Sequence, residues 1–230
     1  MRTLAIGDIH GCLRALDALL ERVQPAGDDL VVTLGDHVDR GPDSKGVLDR
    51  LIALRRQCRV VSLKGNHDLM MLDARRGSAP FEGWLSCGGM QALESYRAPD
   101  DWQTFAEAVP ERHWRLLEDD CVPYHETETH LFVHANLYAD RPLAEQPDYM
   151  LYWEPLDDSS WRAHESGKTM VCGHTAQRSG RPLVLDGAVC IDTWVYGAGW
   201  LTCLDVEREV YWQANQSGET RVGSLSFRLR

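Results

Sequence analysis

Five short segments of this chain share one arrangement, in which an apolar stretch stops and aspartate, histidine or asparagine follows beside a small residue. They are residues 7–11 (GDIHG), 35–41 (GDHVDRG), 65–68 (GNHD), 132–135 (FVHA) and 172–175 (CGHT). In α/β sheets, ligands collect beyond the carboxyl ends of the strands. The pattern therefore predicts five strands whose ends deliver polar side chains to one edge.

The first third of the chain alternates between short apolar runs and helical repeats. It predicts strands at 3–6, 30–34 and 59–63, and helices at 12–24, at 45–56 and from 69 onward. Short connections between such elements are typical of parallel βαβ units. Residues 79–120 are rich in tryptophan and acidic residues, and we expect them to form a helical cap or insertion.

From residue 121 the pattern becomes a series of short β-rich segments, with a hairpin signal at Asp186-Gly187. We therefore predict an α/β fold in which two facing mixed β-sheets, a β-sandwich, are flanked by helices. No linker or internal repeat interrupts the chain, so we expect a single domain over residues 1–230.

Charge and cysteine content limit the expected partners and cellular location. The net charge is −11, which argues against nucleic acid as a partner because polyanions need basic surface. Seven scattered cysteines without CxxC spacing argue against a disulfide framework and favour a reducing, cytoplasmic location. No apolar run approaches the ~20 residues that cross a bilayer, and the short apolar N-terminus does not resemble a signal peptide, so no membrane partner is expected.

The polar residues at the strand ends suit divalent metal ions. Asp8 and His10 are two positions apart, so both point to one side of an extended segment. The two oxygens of Asp36 can bridge two ions. Carboxylate, amide and imidazole ligands accept Mn, Fe or Zn, and no thiolate set is present. The candidate ligands are Asp8, His10, Asp36, Asn66, His134 and His174.

In this order, the segments resemble the signatures GDxHG, GDxVDRG and GNHE, followed by two isolated histidines, of the phosphoprotein phosphatases among the calcineurin-like metallophosphoesterases. Residues 84–89 (WLSCGG) and 190–205 (CIDTWVYGAGWLTCLD) resemble further blocks of the small bacterial and phage members. The resemblance covers nearly the whole chain. It implies a calcineurin-like metallophosphoesterase fold and two divalent metal ions, with Mn²⁺ expected and Fe or Zn as alternatives.

The resemblance also implies residue roles. His67 is the expected general acid, Asp39 its holder, and Arg40 the group that grips the phosphate. The first ion is expected on Asp8, His10 and Asp36, and the second on Asp36, Asn66, His134 and His174.

The chain departs from the family pattern at a few positions. Asp68 replaces the usual Glu, and Ala135 follows His134 where Gly is frequent. Lys64 stands where many members have Arg, and is a candidate phosphate contact. The second phosphate-binding arginine of the family has no clear counterpart, and Arg141 is our candidate.

The expected activity is that of a phosphomonoesterase in which a hydroxide held by two metal ions attacks phosphoserine or phosphothreonine in proteins, with phosphotyrosine left open. One alternative is a dinucleoside tetraphosphate hydrolase, which implies asymmetric cleavage and a nucleobase pocket. Another is a catalytically silent metal-binding scaffold.

The remaining histidines and tryptophans are expected to serve structure. We expect His37 to pack in the interior. Most tryptophans are expected to lie in the core, with Trp194 and Trp200 as the exceptions. Four other histidines are expected to be solvated, namely His113, His125, His130 and His164.

Overall fold

The first strand, β1 (Thr3–Ile6), is buried on both faces, and its side chains alternate between two cores. In this computed structural model, which describes residues 1–225, Leu4 and Ile6 pack with the helices on one side. Ala5 faces the opposite way and packs against Phe132 of a second sheet. This period-2 alternation places β1 at the centre of a layered α/β structure.

Helices surround the sheets on their outer sides. Within residues 1–225 they are α1 (Leu13–Val23), α2 (Ser44–Leu54), α3 (Asn66–Ala74), α4 (Ser78–Trp84), α5 (Met90–Tyr96), α6 (Trp102–Ala108), α7 (Glu111–Arg115) and α8 (Asp148–Tyr152). Five-residue π-helical turns at Leu85–Gly89 and Leu116–Asp120, and a 3₁₀ turn at Leu143–Glu145, complete the helical segments of this part of the chain.

Thirteen strands lie within residues 1–225. After β1 come β2 (Leu30–Thr33), β3 (Arg59–Leu63), β4 (Cys121–Val122), β5 (Tyr124–Glu126), β6 (His130–Val133), β7 (Thr169–Cys172), β8 (Leu183–Leu185), β9 (Ala188–Cys190), β10 (Asp192–Thr193), β11 (Trp200–Asp205), β12 (Val210–Ala214) and β13 (Thr220–Ser224).

Both sheets mix parallel and antiparallel pairs. The first has the order β13-β12-β11-β1-β2-β3-β4, with β10 paired to β11. In it β1, β2, β3 and β4 are parallel, whereas β11, β12 and β13 pair antiparallel. The second has the order β5-β6-β7-β9-β8, with a parallel centre and antiparallel edge strands. The predicted fold of two facing mixed sheets with flanking helices is confirmed.

The β-rich segment at residues 122–124 is divided between the two sheets. Val122 ends β4 in the first sheet and Tyr124 begins β5 in the second, with Pro123 between them. Proline has no backbone N–H to donate to a ladder, so the chain changes sheets at this residue. The hairpin predicted at Asp186-Gly187 does join β8 to β9, and Gly187 has the positive φ of 72° that such a turn favours.

The middle of the chain packs its aromatic residues against the first core. Trp84 lies 4.7 Å, between ring centroids, from Phe105, and Phe105 lies 5.8 Å from Trp114. Helices α4, α6 and α7 supply these rings. We propose that residues 79–120 form an insertion on one domain rather than a separate unit.

Two of the histidines expected to be solvated are buried. His113 has no exposed surface and bonds the hydroxyl of Tyr96 and the carboxylate of Asp49. His164 contacts Ser166 Oγ and the carbonyl oxygen of Arg141. Polar neighbours in the sequence indicated exposure, whereas the partners that allow burial include residues distant in the chain. No helix within residues 1–225 has the length and apolar character needed to cross a membrane.

Candidate active site

His10 is held as a neutral imidazole that presents one lone pair. Its Nδ1 lies 2.9 Å from the carbonyl oxygen of Val38, and the guanidinium of Arg40 donates to its Nε2 at 3.0 Å. A carbonyl only accepts, so the proton sits on Nδ1 and Nε2 is unprotonated. Burial lowers the pKa of His10 well below its usual value. This is the form in which histidine binds metal ions.

His134 and His174 are anchored in the same manner. The Nδ1 of His134 donates to the carbonyl oxygen of Leu34 at 2.8 Å, and the Nε2 of His174 donates to that of Trp153 at 3.1 Å. Burial, followed by the neighbouring His134, lowers the pKa of His174 to about 4. The other nitrogen of each ring lies 3.0–3.1 Å from Oδ1 of Asn66. Two imidazoles and one amide therefore converge on a common centre.

Three buried carboxylates concentrate negative charge there. Asp8, Asp36 and Asp192 are each 2% exposed. Burial, followed by the charges of Asp192 and Asp36, raises the pKa of Asp8 well above its usual value. Burial also raises the pKa of Asp192 to about 6. Buried carboxylates require compensating positive charge, and divalent cations supply it most compactly.

The ligand atoms form two overlapping groups. Within residues 1–225, His10, Asp36 and His67 form one trio and Asp36, His134 and His174 another, with ligand atoms within 4.8 Å of one another. The Nε2 atoms of His10 and His134 each lie 3.4 Å from a different oxygen of Asp36. An unprotonated ring nitrogen and a carboxylate oxygen are both acceptors, and a cation can bind both. The donor set therefore fits divalent metal ions around a shared Asp36.

The first trio differs from the predicted ligand set. It includes His67, whereas Asp8 is outside it. The Asp8 carboxylate accepts the backbone N–H of His174 at 3.0 and 3.1 Å. The other predicted ligands lie together at the ends of strands from both sheets. Asp8 and Asp36 follow β1 and β2, and Asn66 and His67 begin α3 just after β3. His134 and His174 follow β6 and β7 of the second sheet.

His67, a member of the first trio, forms a buried pair with Asp39. The Nδ1 of His67 donates to Asp39 Oδ2 at 2.8 Å, which leaves Nε2 free. Although burial opposes the charged ring, Asp36 and Asp39 raise the pKa of His67 above its usual value. The indole N–H of Trp84 lies 2.9 Å from both oxygens of Asp39. As a single residue, Trp84 is expected in the core. The family-like segment 84–89 is the one sequence signal that Trp84 also contacts a site residue.

Arg40 lies at the edge of the same cluster. Its guanidinium carbon is 4.5 Å above the ring of Tyr196, and its backbone N–H donates to the carbonyl of Gly88 at 2.9 Å. Such cation–π contact holds a planar guanidinium in place while its remaining N–H groups stay free. Trp194 and Trp200 are the residues of this loop that the sequence singles out. It is Tyr196, between them, that contacts Arg40.

The backbone of the site adopts left-handed conformations that are rare outside glycine. Nine non-glycine residues within residues 1–225 have positive φ, and six of them lie in or beside the cluster: His10, Asp36, Asp39, Arg40, His174 and Trp194. Each such residue costs about 1–2 kcal/mol relative to the right-handed helical region. These residues persist in this state only where the surrounding structure fixes them, and here they direct ligand side chains toward one centre.

Two motif glycines press directly on the ligand carboxylates. A Cβ added to Gly173 would lie 1.9 Å from Oδ1 of Asp8, and one added to Gly65 would lie 2.1 Å from Oδ1 of Asp36. Real Cβ contacts are never this short, so any larger residue would displace the carboxylate. The glycines are required for this close approach.

Gly173→Ala is accordingly expected to lower kcat/KM for an aryl phosphate by about 10²-fold, because a displacement of 1 Å at a catalytic group can cost that much. The matched control is Gly83→Ala, since a Cβ there meets no atom within 4 Å. It should keep full activity. Steady-state rates with added Mn²⁺ and a thermal melt of each variant provide the comparison, and equal rates for the two variants would contradict the role given to Gly173.

Two predicted phosphate contacts, Lys64 and Arg141, interact with residues outside the ligand cluster. The Lys64 ammonium donates to the carbonyl oxygen of Glu118 at 2.8 Å, and the Arg141 guanidinium lies 4.8 Å from the centre of the Tyr138 ring. Among residues 1–225, neither side chain contacts a member of the ligand trios. The structure does not bring either residue into the cluster.

His37 lies outside both trios despite its place within the segment 35–41. Its Nδ1 bonds Asp68 Oδ2 at 2.9 Å and its Nε2 bonds Thr33 Oγ1 at 2.8 Å. Asp68 also accepts the backbone N–H groups of His37 and Gly65. His37 is therefore a buried structural histidine, and Asp68 fastens the start of α3 to the segment that carries Asp36.

Two facing mixed sheets whose strand ends present carboxylate, amide and imidazole groups around a shared aspartate define the metallophosphoesterase class. Residues 1–197 match the calcineurin-like phosphoesterase family, and this chain belongs to that family of metal-dependent enzymes.

Known relatives match over shorter segments. The serine/threonine-protein phosphatase 1 of Salmonella typhimurium (strain LT2) is 45% identical over 86 residues, which is 36% of this chain and 37% of that protein. The symmetrical bis(5′-nucleosyl)-tetraphosphatase of Pseudomonas putida (strain GB-1) is 47% identical over 76 residues, which is 32% of this chain and 25% of that protein. The match thus spans little more than a third of these relatives at most.

Solved structures resemble the chain over nearly its full length. A cold-active protein-tyrosine phosphatase of a psychrophilic Shewanella species has a TM-score of 0.62 at 18% identity, covering 96% of this chain and 80% of that one. A protein serine/threonine phosphatase of Saccharomyces cerevisiae has a TM-score of 0.61 at 13% identity, covering 100% and 81%. At these identities the likeness is one of fold.

Proposed function

We propose that this chain is a binuclear metal-dependent phosphomonoesterase that hydrolyses phosphoserine and phosphothreonine in proteins, with phosphotyrosine as a further substrate. The observation that carries the proposal is the buried Asp36 shared by two ligand trios, with the His67–Asp39 pair and Arg40 beside them. Cations, a proton donor and a guanidinium each favour the hydrolysis of a phosphoryl group.

The residues that would hold the two ions are those of the predicted set: Asp8, His10, Asp36, Asn66, His134 and His174. Divalent ions in such a site lower the pKa of water and withdraw charge from phosphoryl oxygens. Mn²⁺ suits the mixture of carboxylate, amide and imidazole ligands, and Fe or Zn are alternatives. The absence of any thiolate among these six residues supports this choice.

The chain's own groups supply the remaining chemistry. The guanidinium N–H groups of Arg40 donate to the equatorial phosphoryl oxygens, whose charge grows during the reaction. The Nε2–H of His67 donates its proton to the departing oxygen of serine or threonine. Asp39 accepts from Nδ1 of the same ring, so it orients His67 and favours its protonated form.

A second candidate activity is hydrolysis of dinucleoside tetraphosphates. The Pseudomonas putida relative favours it, because its name gives that activity and its match is as strong per residue as that of the Salmonella phosphatase. That relative is named symmetrical, so the asymmetric cleavage expected from the sequence is not what this branch suggests. On this candidate the expected products are two nucleoside diphosphates.

A panel of three substrates separates the candidates: a phosphoserine peptide, diadenosine tetraphosphate and p-nitrophenyl phosphate, each with Mn²⁺. We expect phosphate release from the peptide and the aryl ester. Cleavage of the dinucleotide without the peptide would favour the second candidate, and no turnover of any substrate would favour a silent scaffold.

Metal removal gives a further expected result. Thorough chelation should reduce turnover of p-nitrophenyl phosphate to background, and added Mn²⁺ should restore it, since the clustered carboxylates need cations. Metal content measured on the same samples ties the two changes together. Full activity in a sample shown to be free of metal would overturn the proposal.

A further inference from the structure

A cavity of about 580 Å³ is lined by residues of the segment between His134 and His174. The carbonyl of Trp153 accepts from His174, and the residue after it, Glu154, lines the cavity. Asn136, two positions after His134, lines it as well and donates to the carbonyl of Pro155 at 3.1 Å. The cavity therefore shares a wall with the ligand cluster, and its volume is in the range of small-ligand sites.

The lining is strongly acidic. Four carboxylates line the cavity, those of Asp140, Glu154, Asp157 and Glu165, against the single cation Arg162. Asp157 accepts from Ser159 and Ser160 and so shapes its own turn. The other three carboxylates make no hydrogen bond or ion pair within residues 1–225. Their charge is thus directed to solvent and to the cavity.

Aromatic rings form part of the same walls. Tyr138 and Tyr149 pack edge to face with their centroids 6.2 Å apart, and Tyr149 is 47% exposed. Trp161 also lines the cavity and is anchored by its indole N–H to the carbonyl of Asp186 at 2.8 Å. Aromatic faces and carboxylates together suit a cationic side chain, which gains cation–π contact and ion pairing.

We propose that this acidic pocket, defined by Asp140, Glu154, Glu165, Tyr149 and Trp161, binds an arginine or lysine side chain of the phosphopeptide near its phosphorylated residue. This inference rests on the proposed phosphoprotein phosphatase activity. A polyphosphate chain is disfavoured, because its negative charges would lie against four carboxylates and one cation. A neutral group in the pocket would form no ion pair with the carboxylates.

The test uses two phosphoserine peptides that differ only in arginine or citrulline on both sides of the phosphoserine. Citrulline keeps the shape and removes the charge. We expect the native enzyme to have about tenfold higher kcat/KM for the arginine peptide, corresponding to two charge pairs near a protein surface. The preference should shrink between about 10 mM and 1 M salt, because the Debye length falls from about 30 Å to 3 Å.

The variant Glu154→Gln/Glu165→Gln should abolish the preference and leave the rate on p-nitrophenyl phosphate unchanged. Its matched control is Glu21→Gln/Glu107→Gln, which makes the same change in net charge at exposed glutamates outside the cavity lining. The control should keep the full preference. This comparison separates a local effect of the pocket from a general effect of the acidic surface.

Four results would each overturn the pocket. Equal rates on both peptides, or a preference that survives in Glu154→Gln/Glu165→Gln, would overturn the pocket and leave the proposed phosphatase activity standing. Loss of preference in the control variant as well would assign the effect to net charge and would also overturn the pocket. Failure to hydrolyse either peptide, with the aryl ester still hydrolysed, would remove both the proposed function and the inference built on it.

Discussion

Asp36→Asn is expected to lower kcat/KM by about 10³-fold on every phosphomonoester, because several kcal/mol of charge stabilisation depends on the shared carboxylate. Asparagine has nearly the same shape and tolerates the positive φ of 48° at this position, so the fold should persist. The measurements are steady-state rates over a Mn²⁺ titration, metal content and a thermal melt. A variant that keeps both its metal content and its rate would contradict the role of Asp36.

A second buried aspartate provides the matched control. Asp29 is also 2% exposed, but it pairs with Arg2 at 2.6 Å, away from the cluster. Although burial opposes ionisation, Arg2 and the N–H of Ala26 lower the pKa of Asp29 to about 2. Its stabilising effect is therefore present above pH ~4 and is lost as the pH falls toward 2. Asp29→Asn should lower the melting temperature at neutral pH and keep kcat/KM, the reverse of Asp36→Asn.

His67→Asn should lower kcat/KM on alkyl phosphates, such as phosphoserine peptides, by 10²–10⁴-fold, the usual contribution of a general acid. The loss on p-nitrophenyl phosphate should be far smaller, because its leaving group needs little protonation. The ratio of the two rates is the measurement. Equal losses on both substrates would remove His67 from the role of proton donor.

His37→Asn is the control for this prediction. His37 is fully buried like His67, but its ring contacts Thr33 and Asp68 and does not join a ligand trio. Its replacement should lower stability and change both rates by the same factor. A selective loss on alkyl esters in this variant would show that the selectivity arises from general loosening of the site.

The layered fold could be predicted from the sequence because each strand end carries its signal locally. An apolar run followed by GD, GNH or GH marks both a strand and the residues beyond it, and the five predicted ends do lie together. The sheet change at Pro123 could not be predicted from alternation, since both flanking pairs of residues have strand character. Only the pairing partners differ, because β4 pairs with β3, which is remote in the chain, whereas β5 pairs with the neighbouring β6.

The supporting residues of the site were harder to predict for the same reason. Trp84 bonds a carboxylate 45 positions away, and Tyr196 lies over an arginine more than 150 positions away. Neither contact leaves a periodic trace in the sequence, and both residues look like ordinary core aromatics. Lys64 stands where many family members have Arg, but a side chain's direction depends on its neighbours, and here the ammonium donates to the carbonyl of Glu118.

The left-handed residues at the site have a consequence for laboratory evolution of this enzyme. Selection for heat tolerance alone, without selection for turnover, would favour glycine or asparagine at positions such as His10 and His174, where a non-glycine residue adopts a costly left-handed conformation. The ligand histidines would be lost first, while the stability of the fold increased. Libraries built to stabilise this protein should therefore hold those positions fixed.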